Sequence, residues 1–89
     1  MTIPSIAGTI LGDSLALGDG NDVASLAQGN DCATGDGGND QINGGSGADE
    51  IGGGLGTDRL FGDSEDDRVR GDAGNDHIRG GSGNDRVRG

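Results

Sequence analysis

From Gly8 to Arg88 a small or aliphatic residue returns at every ninth position: Leu15, Ala24, Ala33, Ile42, Ile51, Leu60, Val69, Ile78 and Val87. Near the end of the chain its neighbours are polar, as in Arg68-Val69-Arg70, His77-Ile78-Arg79 and Arg86-Val87-Arg88. Polar, apolar, polar is the pattern of a short strand with one buried face. Between these strands lie glycine-rich acidic stretches, of which Gly80 to Asp85 (GGSGND) is the clearest. Glycine at the first, second and fourth places permits backbone conformations that a Cβ would penalise, which predicts a tight turn with exposed carbonyls. Each unit is therefore a turn followed by a strand.

Aligned on that unit, the last six copies begin at Gly35, Gly44, Gly53, Gly62, Gly71 and Gly80, and three weaker copies begin at Gly8, Leu17 and Leu26. The array of nine copies spans residues 8–88, leaving residues 1–7 as an N-terminal segment or cap and Gly89 as an end without a cap. Sixth place is Asp in every copy: Asp13, Asp22, Asp31, Asp40, Asp49, Asp58, Asp67, Asp76 and Asp85. A fixed period kept without insertion is the signature of a solenoid.

The repeat resembles the RTX (repeats in toxin) calcium-binding nonapeptide, GGxGxDxUx with U a large aliphatic residue. The resemblance implies an all-β fold, a right-handed parallel β-roll in which two nonapeptides make one coil and two short-stranded parallel sheets face each other. Copies n and n+2 then stack, with calcium between their turns. It also implies the ligands: the nine sixth-place carboxylates, Asp13 being the least regular, and turn carbonyls around Gly35, Gly37, Gly44, Gly53, Gly62, Gly71 and Gly80. Pairing n with n+2 gives one row through Asp13, Asp31, Asp49, Asp67 and Asp85 and another through Asp22, Asp40, Asp58 and Asp76. Up to about seven ions fit between them on this geometry.

Composition sharpens the need for metal. The 89 residues are 28% hydrophobic with Phe61 as the one aromatic, too little to bury a conventional core. Sixteen Asp and Glu against six Arg leave a net charge of −10. Stacked carboxylates about 5 Å apart would repel by roughly 3 kcal/mol per pair at an effective dielectric of about 20. Low hydrophobicity with high charge predicts disorder without a cation and order with one. Carboxylates and carbonyls are hard donors that suit calcium's flexible shell better than magnesium's strict octahedron. Zinc would want Cys and His, and the chain has one of each, Cys32 and His77.

Departures from the pattern grade the sites. Thr9, Leu11, Leu17 and Leu26 replace turn glycines, and Ala24 and Ala33 underfill the core, so weaker calcium binding or a capping role is expected of the N-terminal third. Glu65 takes a fourth-place glycine position at a cost if positive φ is needed there. Asp36, Asp63 and Asp72, in second place, add negative charge without ligating. All six Arg fall at outward seventh or ninth places: Arg59, Arg68, Arg70, Arg79, Arg86 and Arg88. They read either as a solvated face that blocks edge aggregation or as a docking face for an acidic partner, a polysaccharide or a neighbouring calcium-free turn. Phe61 should be covered by the N-terminal segment or a neighbouring molecule, His77 should lie on the surface, and Cys32 should be a free thiol. Residues 1–7, kept extended by Pro4, carry no basic n-region and no apolar run for a secretory signal or membrane span.

No Ser, His and Asp constellation supports catalysis, and neither an EF-hand nor a collagen spacing is present. The expected function is a calcium-binding module that folds on meeting extracellular calcium, as in bacterial proteins secreted by type I export. The alternatives are an accessory module of a secreted enzyme and a structural or adhesive roll. An ice-binding roll lacks support because third place shows no regular Thr or Asn array. Nucleic acid is not an expected partner. The bare C-terminal end suggests a fragment whose parent carries enzyme, toxin or adhesin domains, with end-to-end stacking of two chains as the other reading.

Overall fold

A three-residue strand buries one side chain, so it persists only when stacked on equivalent strands. The computed structural model, which describes residues 6–7, 14–16, 18, 20–26 and 28–88, shows that stacking. Its strands are β1 (Ile6–Ala7), β2 (Ser14–Ala16), β3 (Val23–Ser25), β4 (Cys32–Thr34), β5 (Gln41–Asn43), β6 (Glu50–Gly52), β7 (Arg59–Phe61), β8 (Arg68–Arg70), β9 (His77–Arg79) and β10 (Arg86–Arg88). The odd strands form one parallel sheet in the order β1-β3-β5-β7-β9, and the even strands form a second in the order β10-β8-β6-β4-β2. Parallel strands need a crossover of a dozen or more residues. Here the crossover is the strand of the opposite sheet with its two turns, so Ile42 pairs with Leu60 and Ile51 with Val69. Two nonapeptides thus make one coil of an all-β parallel solenoid.

The molecule measures 29 × 25 × 13 Å, and the short dimension leaves room for a single layer of side chains between the sheets. That layer is the eighth-place column. Ala24, Ala33, Ile42, Ile51, Leu60 and Val69 are buried in one cluster, with Ile78 packed partly against it. Flanking places alternate outward, and all six Arg are exposed. Burial fades toward the C-terminal coil, where Val87 is 51% exposed.

Two features depart from the repeat pattern. Ile6 and Ala7 pair with Ala24 and Ser25, so the strand register runs one step into the N-terminal segment. Leu26, read in sequence as a displaced turn glycine, is completely buried in the core cluster with Ala24 and Ala33. Those two alanines leave space that its isobutyl group fills. Its amide still donates to the Asn43 carbonyl, as the equivalent Gly35 and Gly44 amides donate to Gly52 and Phe61, so the turn is kept. Phe61 is half-buried in β7, with Asn43 and Arg79 as its cross-strand neighbours. Cys32 is exposed and free, and His77 is exposed. Pro4, Thr9, Leu11, Asp13, Leu17 and Gly89 lie outside the described residues.

This packing assigns unequal roles to residues that look equivalent or misplaced in sequence. Leu26→Gly restores the repeat's glycine yet should destabilise the calcium-loaded protein by about 2–5 kcal/mol, whereas Val87→Ala should cost below about 1 kcal/mol. Urea unfolding in excess calcium measures both; a neutral Leu26→Gly would contradict the assignment of Leu26 to the core.

Candidate metal centre

The turns are built by two left-handed places and one crowded place. Second place has positive φ whether glycine or not, as at Gly54 (86°) and Asp63 (70°), and so does fourth place, as at Gly56 (97°) and Glu65 (73°). Asp36 and Asp72 hold the same left-handed conformation, tolerable because Asp and Asn enter it more readily than most residues. Glu65 has no such ease and is strained there. First-place glycines are needed for a different reason. None of Gly35, Gly44, Gly53, Gly62, Gly71 and Gly80 has positive φ, but a Cβ on each would run into the Oδ2 of its own repeat's Asp, at 2.6 Å on Gly44 and 2.5 Å on Gly53.

Those Asp residues stand in two rows, Asp22, Asp40, Asp58, Asp76 beside one sheet and Asp31, Asp49, Asp67, Asp85 beside the other. Asp22 through Asp67 are buried, while Asp76 and Asp85 in the last coil are half-buried. Each carboxylate is divided in use. The Oδ1 of Asp40 accepts the Asp22 amide at 2.9 Å, and that of Asp58 accepts the Asp40 amide at 2.8 Å. In the other row, Asp49 accepts from Asp31 at 2.9 Å and Asp67 from Asp49 at 2.8 Å. Asp76 and Asp85 complete the rows by accepting from Asp58 and Asp67. The Asp backbone carbonyls continue the same ladder by accepting seventh-place amides, as Asp40 does from Arg59.

The second oxygen is left over. Oδ2 of Asp40, Asp49, Asp58, Asp67 and Asp76 is buried without a hydrogen-bond partner. A buried carboxylate oxygen with no donor is costly and calls for a cation or a proton. Opposite it stands a carbonyl of the next coil: Asp40 Oδ2 and the Gly53 carbonyl both lie within 2.6 Å of the point a Cβ on Gly35 would occupy. The same pairing sets Asp49 against Gly62, Asp58 against Gly71 and Asp67 against Gly80. These are four oxygen-lined cradles that glycine keeps open. Among the described residues no three Asp, Glu, His or Cys side chains converge. A cation here would be shared between side-chain and main-chain oxygens, a donor set that suits calcium. Gly37 is half-buried in the turn beside the exposed Asp36, and Asp13 is outside the described residues.

The electrostatics agree. Burial pushes the Asp49 carboxyl up to about 7, with the Asp31 amide opposing and the charges of Asp67 and Asp31 adding to it. Asp58 is pushed up to about 6, first by burial and then, against the Asp40 amide, by the charges of Asp40 and Asp76. Asp40 and Asp67 are raised as well, again chiefly by burial.

Outside these rows runs a second ladder that sequence reading misses. Fifth-place side chains accept fifth-place amides one coil on: Asn21 from Asn39, Asn30 from Ala48, Asn39 from Thr57 and Asp66 from Asn84, each at 2.8–2.9 Å. Its signal is the frequent Asn one place before the Asp. Asn21, Asn30, Asn39 and Asp66 are short acceptor side chains that cap the neighbouring turn, a role that Ala48 at the same place cannot fill.

A family model described as the RTX calcium-binding nonapeptide repeat (4 copies) matches residues 8–42, 25–60 and 61–89. No curated protein and no solved structure matched the chain.

Adjacent glycines should respond oppositely to one methyl group. Gly53→Ala closes a cradle and should abolish calcium-induced folding or raise its midpoint by at least about tenfold, the equivalent of 1.4 kcal/mol. At Gly52 the nearest atoms to an added Cβ are 3.7 Å away, so Gly52→Ala should be neutral or stabilise by up to about 1 kcal/mol. Calcium titrations of the two variants decide, and equal effects would contradict the cradle. The raised Asp pKa values fix the sign of a pH effect. Their stabilising contribution to the metal-free roll is fully present below the unfolded Asp value of about 4 and is lost as pH rises through the range of about 6 to 7. Chelated protein should therefore show more β structure by circular dichroism at pH 4 than at pH 8; a gain with rising pH would contradict it.

Proposed function

Because the chain belongs to the RTX calcium-binding nonapeptide repeat family, we propose that it works as a calcium-driven folding module whose sixth-place Asp residues are the ligands. The observation that carries this reading is the column of buried, unpartnered Oδ2 atoms facing carbonyls of the next coil. Without metal these carboxylates must either stay protonated or separate, and separation opens the coil. With calcium, a charge of +2 sits between oxygens that the amide ladder orients as the coil closes, and each ion ties one coil to the next. Binding free energy then becomes folding free energy.

Six stacked Asp pairs occur among the described residues, and the pair of Asp13 with Asp31 would be the seventh. The four central cradles, closed by the carbonyls of Gly53, Gly62, Gly71 and Gly80, fill first. Sites of the extracellular class, with dissociation constants of about 10⁻⁴ to 10⁻³ M, stay empty in a cytosol and fill outside the cell. The module is then unfolded during export and folds on arrival, which is the physical sense of placing it in a secreted bacterial protein of the type I route. It serves there as a calcium-gated structural element beside a parent's other domains, with no chemistry of its own.

Circular dichroism and hydrodynamic radius, followed through a calcium titration with magnesium as control, test this. The expected result is a cooperative gain of β signal with compaction in calcium alone. Asp58→Ala should raise the calcium midpoint by about tenfold or more, because Asp58 serves its own cradle and accepts the Asp40 amide, worth roughly 1–3 kcal/mol if left unmade. Asp85→Ala, which frees the Asp67 amide at a half-buried place and empties none of the four described cradles, should raise it by less than Asp58→Ala does. A protein fully folded in chelator, or equal effects of the two substitutions, would overturn the reading.

A further inference from the structure

The six Arg are not spread over the roll. On the outer face of the second sheet, Arg86 pairs across from Arg68 and Arg88 from Arg70 in adjacent parallel strands β10 and β8. The backbones of four exposed Arg thus stand at the corners of a rectangle, about 4.8 Å across the strands and roughly 6.6 Å along them. Like charges directly opposite each other are destabilising in a sheet. Across β6 the ladder offers one carboxylate, Glu50 beside Arg68, while over Gly52 the Arg70 guanidinium and the Asp72 carboxylate approach the same point, so two carboxylates stand against four Arg. A chain with a net charge of −10 has therefore concentrated four of its six positive charges on one flat patch.

Calcium changes what that patch presents to its surroundings. Metal-free, the acidic turns on either side of the strands dominate the field and repel anions. About five divalent ions cancel the formal charge of −10, and they sit at the buried Asp rows rather than on the Arg face. Loading the sites would unmask these four Arg. We infer that the outer face of β8 and β10 is a calcium-gated docking surface for a linear acidic polysaccharide, an inference that rests on the calcium-binding reading above.

The shape and chemistry favour that occupant. The basic strip is one three-residue strand wide, about 10 Å, and is bordered by exposed Asp63, Glu65, Asp66 and Asp72, so it admits one narrow chain and repels a duplex. Arg forks match carboxylates in two-point geometry. The outward places of the second sheet contain no aromatic side chain for base stacking, since Phe61 belongs to the other sheet. A sugar chain carrying carboxylates meets Arg68 and Arg86, or Arg70 and Arg88, as it crosses β8 and β10 along the roll axis.

The test uses full-length calcium-loaded protein and oligosaccharides of hyaluronan, a carboxylated glycan, with neutral dextran and single-stranded DNA in parallel. Binding is read by calorimetry with and without chelator. The expected result is hyaluronan binding in calcium that weakens with salt, and no binding in chelator or to dextran. Replacing Arg68, Arg70, Arg86 and Arg88 together by Gln should reduce binding at least tenfold, while Arg59→Gln with Arg79→Gln on the opposite sheet should change it less than twofold. Circular dichroism in calcium reports whether each variant is folded, and single substitutions Arg86→Gln and Arg88→Gln replace the quadruple if it is not. No hyaluronan binding by protein that folds in calcium, equal loss from both sets, or tighter binding of DNA would overturn this inference alone. Failure to fold in calcium would overturn the calcium reading beneath it.

Discussion

Everything in this roll depends on stacking carboxylates that repel one another. A coil repeats every two nonapeptides, so sixth-place Asp residues eighteen apart are brought into register whether or not their charges permit it. The turn geometry, the glycines and the strand pairing all hold them there. Burial and mutual repulsion raise their pKa values, as at Asp49 and Asp58, and a proton or a calcium ion relieves the same strain. The fold is thus arranged around a site that its own apolar layer is too thin to hold closed.

The division of labour within each carboxylate lets one residue be scaffold and, on the proposed reading, ligand. Oδ1 is committed to an amide of the preceding coil, which fixes the side chain as the coil closes. Oδ2 is thereby aimed at a carbonyl of the following coil across the open face of a glycine. Pre-organisation of this kind lowers the ordering cost of binding to what the coils themselves must pay in conformational entropy. Coupling between neighbouring sites follows, since Asp58 touches both the Asp40 amide and the cradle closed by Gly71.

Much of this was legible in the sequence. The eighth-place column predicted the strands and the core from Ile42 to Val69, the unbroken period predicted a solenoid, and the RTX resemblance supplied the two-repeat coil and the two Asp rows. What escaped were contacts between residues eighteen apart, which exist only once the coil has closed. First-place glycine looks like a turn requirement, yet it is a space requirement set by Asp Oδ2. Leu26 looks like a damaged turn, yet it completes a core left short by Ala24 and Ala33. The Asn residues before the Asp look decorative until Asn21 and Asn39 are seen capping amides of the next coil. A local reading assigns a residue to its own turn, while here half of its partners belong to another.

Anomalous diffraction from crystals grown in calcium measures the central claim most directly. The account predicts ions along both rows, each bound by an Asp Oδ2 and a first-place carbonyl of the adjacent coil, with Asp40 and Gly53, Asp49 and Gly62, Asp58 and Gly71, and Asp67 and Gly80 most fully occupied. Ions confined to the exposed carboxylates of Asp63, Glu65 and Asp66, with the buried Oδ2 column bare, would contradict it.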